Sequence, residues 1–516
     1  IKDDDGGIRK ESVVRAYNHL LTNIPENINL KVINCSFGGP GLTGDLENYV
    51  NAAAARGIIT VCAAGNENTD AAHYPSDYES CISVIAVDQN GNKAGFSNYG
   101  RLCDISAPGV SITSTIHNSY GEMSGTSMAA PFVSGVIALM YAANPSLTND
   151  QVKHYLYSTA EDVGPSGRDN NSGWGIIDPY RAVFKAKEGY WKRLNGGTRY
   201  DTMRMVSNEG WSDDSCDTAI VATGESFPDA LAATSLAGIH NCPVILTKSS
   251  TLSQQAAGEI QRLGVENVIL IGGSDVVSNT VKSQIESIVG SGHVSRIYGA
   301  TRYDTAVNIY NNGSGWSDTL IVTTGLSAPD SLSIAPYAYA TKSPVFLAGP
   351  NGDLSSNVRA AISSGSFDKA IIIGSSSNVS ESTENFLKSQ LGLNKVYRIS
   401  GSTRYVTSSK IAKWACGEDQ NAPFSPDVIL GYSHVAIANG GDNAFPDGLS
   451  GCAFCGHNRS VMLLIDNSKT FSNNVTLTDN VSIHIRDVEL GYAIGSNGVI
   501  SDSLLDSIES FFMGCL

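Results

Sequence analysis

The sequence repeats itself, and the repeat fixes most of what the chain can become. "RLNGGTRYDTM" opens at Arg193, "RIYGATRYDTA" at Arg296 and "RISGSTRYVTS" at Arg398, roughly 100 residues apart. Each opening is followed by the same order of parts. An apolar run comes first ("TAIVATG", "TLIVTTG", "HVAIANG"), then a loop and helix start ("ESFPDALAATSLAG", "LSAPDSLSIAPYA", "DNAFPDGLSGCAF"). A second apolar run follows ("CPVILT", "SPVFLA", "SVMLLI"), with a polar helix-length segment after it in the first two copies. The last run closes on a glycine turn ("NVILIGGSDVVS", "KAIIIGSSSNVS", "LGYAIGSNGVIS"). Short β-branched runs alternating with helix-length segments predict βα units on a parallel sheet covered on both faces. The period is too long for a solenoid, so three copies predict three homologous α/β subdomains at 190–293, 294–395 and 396–516, the last divergent.

Residues 1–187 carry no copy of this repeat but are again α/β. "LKVINCSFGG" (30–39), "GIITVCAAGN" (57–66) and "CISVIAVD" (81–88) read as buried parallel strands. A helix lies between the first two, with Asp45 as N-cap and Gly57 at C′. Functional residues in such sheets stand at the carboxyl ends of strands, where "SFGG" and "AAGN" fall. Farther on, "GEMSGTSMAAPFV" (121–133) leads into an apolar stretch that predicts a central helix from Ser127 to Ala143, capped by Thr126. Pro131 falls in its opening turn, where proline is tolerated. A serine at the positive end of a buried helix suits a nucleophile, because free N–H groups stabilise negative charge there. Plain helix capping by Thr126 and Ser127 is the other reading of the same three residues.

Composition removes several classes of function. With 34 basic against 50 acidic residues the formal charge is −16, which argues against nucleic acid as the main partner. An anionic ligand would need a local cationic point. No uninterrupted run of 18 apolar residues occurs, so no membrane span is expected. Ten cysteines are too few for a disulfide framework. Cys452 and Cys455 form a CxxC without a second pair or histidine ligands, and no metal is expected there. Cys35 and Cys62 read as buried thiols, and pairing of Cys81 with Cys103 stays open. "IGGSD" lacks GxGxxG or a Walker lysine, so no nucleotide or other cofactor is expected.

"GTSMAAP", preceded in order by "VINCSFGG", "VCAAGN" and "SAPGV", resembles the subtilisin-like serine proteases. The resemblance runs from residue 1 to about 185. It implies a partial subtilase-like parallel sheet with helices on both faces, and roles for particular residues. Ser127 is the implied nucleophile, attacking a peptide carbonyl. Asn66 and the Ser127 N–H are the implied oxyanion donors. Ser36, Phe37 and Gly38 face Ala63, Ala64 and Gly65 as the two implied edge segments. They would hold an extended peptide and line the pocket for the residue before the scissile bond. "HYP" at 73–75 places His73 where many relatives have a small residue near the pocket floor, which leaves side-chain preference open.

A serine of this kind needs a histidine base and an orienting carboxylate. In the family these stand well upstream of the "SFGG" strand, in segments resembling "DTG" or "DSG" and "HGTHVAG". Only 35 residues precede Ser36, and neither segment is among them. "DDDGG" at 3–7 reads as a turn, and His19 as part of an amphipathic helix. His73, His117 and His154 fall where the family has no base, and Phe132 is a packing variation. The resemblance therefore implies that the chain begins within a domain. It is the later part of a secreted protease, with its signal peptide upstream, or else a remnant without activity. The opening "IKDDDGGIRKESVV" is not itself a signal peptide, being acidic and without an apolar segment. An α/β-hydrolase is excluded because GxSxG is absent around Ser127.

The order "TRYDT", "FPDALA", "PVILT", "ILIGG" resembles the type 2 cell-wall-binding repeats of Gram-positive surface proteins, from residue 193 to about 512. That resemblance implies Rossmann- or flavodoxin-like subdomains in a pseudo-threefold arrangement. It also implies non-covalent anchoring to an anionic secondary wall polymer at the cell surface. The cation present in every copy is the arginine of "TRY": Arg199, Arg302 and Arg404. A guanidinium suits phosphate or carboxylate groups. Each could instead pair with Asp229, Asp330 or Asp447 and lock one copy to the next; both readings stand. In the third copy Val406 replaces the acid of "RYD", removing a paired acid. Together the parts suggest a wall-anchored serine endopeptidase acting on peptide or protein substrates. The alternative is a non-catalytic wall-binding protein or adhesin carrying a protease remnant.

Overall fold

A computed structural model describes residues 8–24, 28–441, 445–484 and 487–514; the turn read at 3–7 and residues 442–444 of the third "FPD" loop lie outside them. The chain divides into two bodies, the first ending at Gly189 and the second running from Tyr190 to Phe512.

The first body is built on one sheet. Its helices are α1 (Lys10–Thr22) and α2 (Asp45–Ala55), followed later by α3 (Thr126–Ala143), α4 (Asn149–Ser158) and α5 (Pro179–Glu188). Its strands are β1 (Val32–Cys35), β2 (Ile59–Ala63), β3 (Cys81–Val87) and β4 (Ile105–Pro108), all parallel and paired in that order. A separate antiparallel hairpin joins β5 (Ile112–Ile116) to β6 (Ser119–Met123). Side chains of α1 and α2, among them Val13, Tyr17, Leu46 and Val50, share one core with Cys35, Cys62 and Cys81. Helix α3 lies along all four strands and buries Ala129, Ala130, Val133, Ile137 and Met140. At 18 residues and a mean hydropathy of 1.5 it is long and apolar enough to cross a membrane. Its buried face instead packs on the sheet, while Phe132 and Leu139 stay exposed.

Two helix starts differ by one residue from the sequence reading. Asp45 is the first helical residue of α2 behind Gly44, whose φ is +79°. Thr126 is the first helical residue of α3 behind Gly125, at φ +156°. Both starts use a glycine conformation that a side chain would oppose, so the polar residue moves into the helix. Cys81 and Cys103 are free thiols.

The second body opens with β7 (Trp191–Leu194) and α6 (Arg199–Gly210). The first copy continues with β8 (Thr218–Thr223), α7 (Pro228–His240), β9 (Val244–Thr247), α8 (Gln254–Arg262), β10 (Asn267–Ile271) and α9 (Asn279–Val289). The second supplies β11 (Val294–Ile297), α10 (Arg302–Asn312), β12 (Thr319–Thr324), α11 (Ala328–Thr341), β13 (Val345–Ala348), α12 (Ser356–Ser364), β14 (Lys369–Ile373) and α13 (Glu381–Leu391). The third supplies β15 (Val396–Ile399), α14 (Arg404–Ala415), β16 (Gly431–Asn439), α15 (Phe445–His457), β17 (Ser460–Ile465), β18 (Gly491–Ile494) and α16 (Asp502–Gly514). Where the first two copies have α8 and α12, the third has a 3₁₀ turn at Phe471–Asn473 and a π turn at Leu477–Val481.

The three sheets are parallel and share one topology: β9-β8-β10-β11, β13-β12-β14-β15 and β17-β16-β18-β7. This second-first-third-fourth order is that of flavodoxin-like folds. The fourth strand of each sheet is the opening strand of another copy. β11 and β15 come from the copy that follows, and β7, the opening strand of the first copy, completes the third sheet, Trp191 to Leu194 opposite Gly491 to Ile494. The sheets are thus offset by one strand from the sequence repeats. Helices α7, α11 and α15 pack on one another pairwise at the centre. Around them α10 packs on α7, α14 on α11 and α6 on α15, so the three copies close in a pseudo-threefold ring. Glycine allows the close approach: a Cβ on Gly238 of α7 would stand 2.1 Å from the Tyr339 carbonyl oxygen of α11.

Candidate functional sites

In the first body the ends of β1 and β2 meet the start of α3. The Thr126 N–H and hydroxyl both donate to Asn66 Oδ1, at 2.9 and 3.1 Å. The Thr126 hydroxyl in turn accepts from the Gly65 N–H at 3.1 Å. Thr126 therefore serves as a cross-link, not as the cap expected of it. With two donors on Oδ1, the amide orientation of Asn66 is set, and Nδ2 has no protein partner among the described residues. Ser127 is the second residue of α3, so its N–H belongs to the open end of the helix.

The Ser127 hydroxyl donates to the Ser36 carbonyl at 3.0 Å, and the Ser36 hydroxyl returns a bond to the Ser127 carbonyl at 2.8 Å. Among the described residues no imidazole is hydrogen-bonded to Ser127. His19 contacts Asn23, and His154 is buried in α4, where burial holds its pKa down to about 4.

The two edge segments are held through their backbones by neighbouring residues. Gly39 and Tyr74 exchange N–H···O bonds of 2.9 and 3.2 Å. Asn98 donates through Nδ2 to the Ala64 carbonyl and through its N–H to the Gly65 carbonyl. Ala63 and Ala64 are buried and Gly38 exposed. The side chain of Phe37 packs against the α1–α2 core, so only its backbone belongs to the edge segment. Glu67, which the sequence reading passed over, accepts from the Asn66 N–H and from Asn98 Nδ2, both at 2.9 Å.

The second body repeats one arrangement three times, where the strand order reverses and ligands of such sheets bind. Asp229, in the first turn of α7, lies against Gly272 at the end of β10; a Cβ on that glycine would be 3.2 Å from its carboxylate. Asp330 lies against Gly374 and Asp447 against Gly495 in the same way. Burial pushes all three carboxyls up, and an arginine of the neighbouring copy pulls each back: Arg302 on Asp229, Arg404 on Asp330, Arg199 on Asp447. Asn378 also holds Asp330 down, and Thr202 holds Asp447 down. The arginines themselves donate within their own copies, to the carbonyls of Gly224 (2.5 Å), Gly325 (2.7 Å) and Gly440 (2.8 Å).

A different arginine of each opening bonds directly to the neighbouring copy. Arg296 donates to the Gly272 carbonyl at 2.7 Å, Arg398 to Gly374 at 2.8 Å and Arg193 to Gly495 at 2.8 Å. These residues open the three repeats in the sequence, so the signal was present. The acid of "RYD" also has a different task. Thr198 with Asp201, and Thr301 with Asp304, form reciprocal capping boxes at the starts of α6 and α10. Val406 therefore removes the returning half of a capping box from the third copy, where Thr403 still caps α14, and not a partner of Arg404.

Family models match this chain in two places: the subtilase family over residues 1–175, and cell wall binding domain 2 (CWB2) over residues 193–282, 296–384 and 398–505. The chain belongs to the CWB2 family. Its first body is a subtilase domain. Subtilisin BL of Lederbergia lenta is 41% identical over 158 residues, which is 30% of this chain and 58% of that protein. The thermostable alkaline protease of Halalkalibacterium halodurans is 45% identical over 158 residues, 30% of this chain and 43% of that protein. The chain thus spans about half the length of these relatives. Cwp8 from Clostridium difficile shares the fold, with a TM-score of 0.55 at 21% identity over 65% of this chain and 54% of that one. A subtilase domain followed by CWB2 repeats is a peptidase-family domain fused to a wall-binding module, consistent with a place at the cell surface.

Proposed function

We propose that Ser127 is the nucleophile of a serine endopeptidase that the three CWB2 repeats hold on an anionic wall polymer. The observation that carries the catalytic part is the double hold of Thr126 on Asn66 Oδ1, which presets the amide donor beside the open end of α3. Ser127 Oγ attacks the carbonyl of a peptide lying along residues 36–38 and 63–65. The Asn66 amide and the Ser127 N–H then receive the oxyanion. The base is a histidine with its aspartate, carried by polypeptide that pairs along the outer edge of β1 and covers Phe132 and Leu139. On the wall side, Arg199, Arg302 and Arg404 give a chain of net charge −16 its local cationic points, one at each strand-order reversal.

Labelling with a fluorophosphonate, on this chain alone and joined to an Asp- and His-bearing subtilase segment, tests the catalytic reading. Label on Ser127 in the joined form, lost in Ser127→Ala, is the expected result. A second reading, a wall-binding protein with a silent protease domain, is favoured by the engagement of the Ser127 hydroxyl with the Ser36 carbonyl. No label in either form would select it.

A further inference from the structure

We propose that His73 closes the pocket between the two edge segments, so that the side chain before the scissile bond can be no larger than that of alanine. This rests on the reading of Ser127 as nucleophile. A Cβ on Gly38 would stand 2.1 Å from His73 Cε1, and a Cβ on Gly65 would stand 2.9 Å from His73 Cδ2. Both segments therefore turn their open glycine faces toward one imidazole, which spans the gap between them. His73 as a whole is 7% exposed.

The ring cannot swing aside cheaply. The Ser76 hydroxyl spends its proton on the His73 carbonyl at 2.7 Å, so the 2.9 Å contact between Ser76 Oγ and His73 Nδ1 is donated by the imidazole. The His73 N–H donates to Asp77 Oδ2 at 2.9 Å, and the Asp77 N–H returns to the His73 carbonyl at 2.9 Å. Tyr74, next in the chain, is bridged to Gly39 of the opposite segment. Rotating the ring away would break the bond from Nδ1 to Ser76 and leave a buried donor unpaired, which costs more than an ordinary contact gains, and the backbone bonds keep the segment itself from moving aside. Glycine and alanine require no displacement; leucine or phenylalanine would.

The test uses the full chain carrying Ser127→Ala, so that no peptide is consumed. Two fluorescein-labelled tetrapeptide acids, alike but for a terminal alanine or phenylalanine, are titrated by fluorescence anisotropy. The alanine peptide is expected to bind at least about tenfold more tightly, the scale on which a filled pocket rejects a larger group. His73→Gly is expected to bring the phenylalanine peptide level with it or ahead. His73→Ser, which leaves a smaller cavity, repeats the measurement in case the glycine variant folds poorly. Equal binding of both peptides with His73 in place would overturn the proposal and leave the Ser127 reading standing. Loss of both peptides in both variants would also overturn it, making the ring structural. Binding of neither peptide by the His73 protein would overturn the protease reading itself, and this inference with it.

Discussion

The two bodies solve the same problem of a parallel sheet with different means. In the CWB2 body each sheet takes its last strand from another copy, and β7 completes the third, so closure comes from repetition. In the subtilase body β1 ends the sheet, and among the described residues no strand pairs with its outer side. The adjoining helix α3 leaves Phe132 43% and Leu139 56% exposed. An open strand edge beside apolar side chains invites another chain to pair there. Repeated copies can cover one another's edges, whereas a single-copy sheet depends on polypeptide of different sequence. The sites follow the same division. The CWB2 body builds one Arg–Asp–Gly arrangement three times, and the subtilase body gathers Ser36, Asn66, Thr126 and Ser127 once.

The comparison breaks most readily at the centre of the ring. Gly238→Ala would push a methyl group to within 2.1 Å of a backbone oxygen of α11, which no side-chain rotation relieves. Overpacking of this kind costs about 1–3 kcal/mol or more. Urea unfolding followed by hydrogen exchange, read separately over residues 8–189 and 190–512, should place the whole loss in the second body. A loss spread equally over both would mean that the two bodies do not unfold independently.

A smaller effect is expected at the staples between copies. Arg296→Ala removes bonds of 2.7 Å to the carbonyls of Gly272 and Val277. Charged hydrogen bonds are worth about 1.5–3 kcal/mol each, less for a half-exposed side chain. The drop should appear at β10 and β11 before the rest of the ring. If Arg302→Ala proved more damaging to that junction than Arg296→Ala, the assignment of the staple would be wrong.

Much of this was legible in the sequence, and the gaps have physical causes. The βα order of every copy could be read because apolar runs and helix-length segments alternate without interruption. The place of Ser127 at the start of a long helix could be read because the stretch after it is apolar nearly throughout, but the same uniformity suggested a fully buried helix, whereas one face of α3 stays exposed. The strand exchange could not, since an opening strand has the same sequence whether it joins its own sheet or that of the preceding copy. The two arginines of each opening were indistinguishable by residue type. Only the fold shows that Arg193, Arg296 and Arg398 reach across while Arg199, Arg302 and Arg404 bond at home. Thr126 was misassigned as a cap because a glycine at positive φ took the capping position. Glu67 and Asn98 joined the subtilase site through bonds 31 residues apart in the chain, which no local pattern announces.

The finest comparison is among the copies themselves. In the first two, the capping aspartate accepts from both the N–H and the hydroxyl of its threonine, Thr198 to Asp201 and Thr301 to Asp304. These bonds, with those from Gln255 and Asn357, hold both carboxyls below their usual range. In the third copy Thr403 still accepts from the Val406 N–H at 3.3 Å, but nothing returns the bond. Val406→Asp should restore it and place a negative charge at the positive end of α14. Each contribution is worth about 0.3–1 kcal/mol. The gain should be less than the loss from Thr301→Ala, because α8 and α12, which carry Gln255 and Asn357, have no counterpart in the third copy. A higher urea midpoint for the second body, with the first unmoved, is the expected result. A lower midpoint would mean that the third copy has repacked around the valine, and that its resemblance to the other two ends at the backbone.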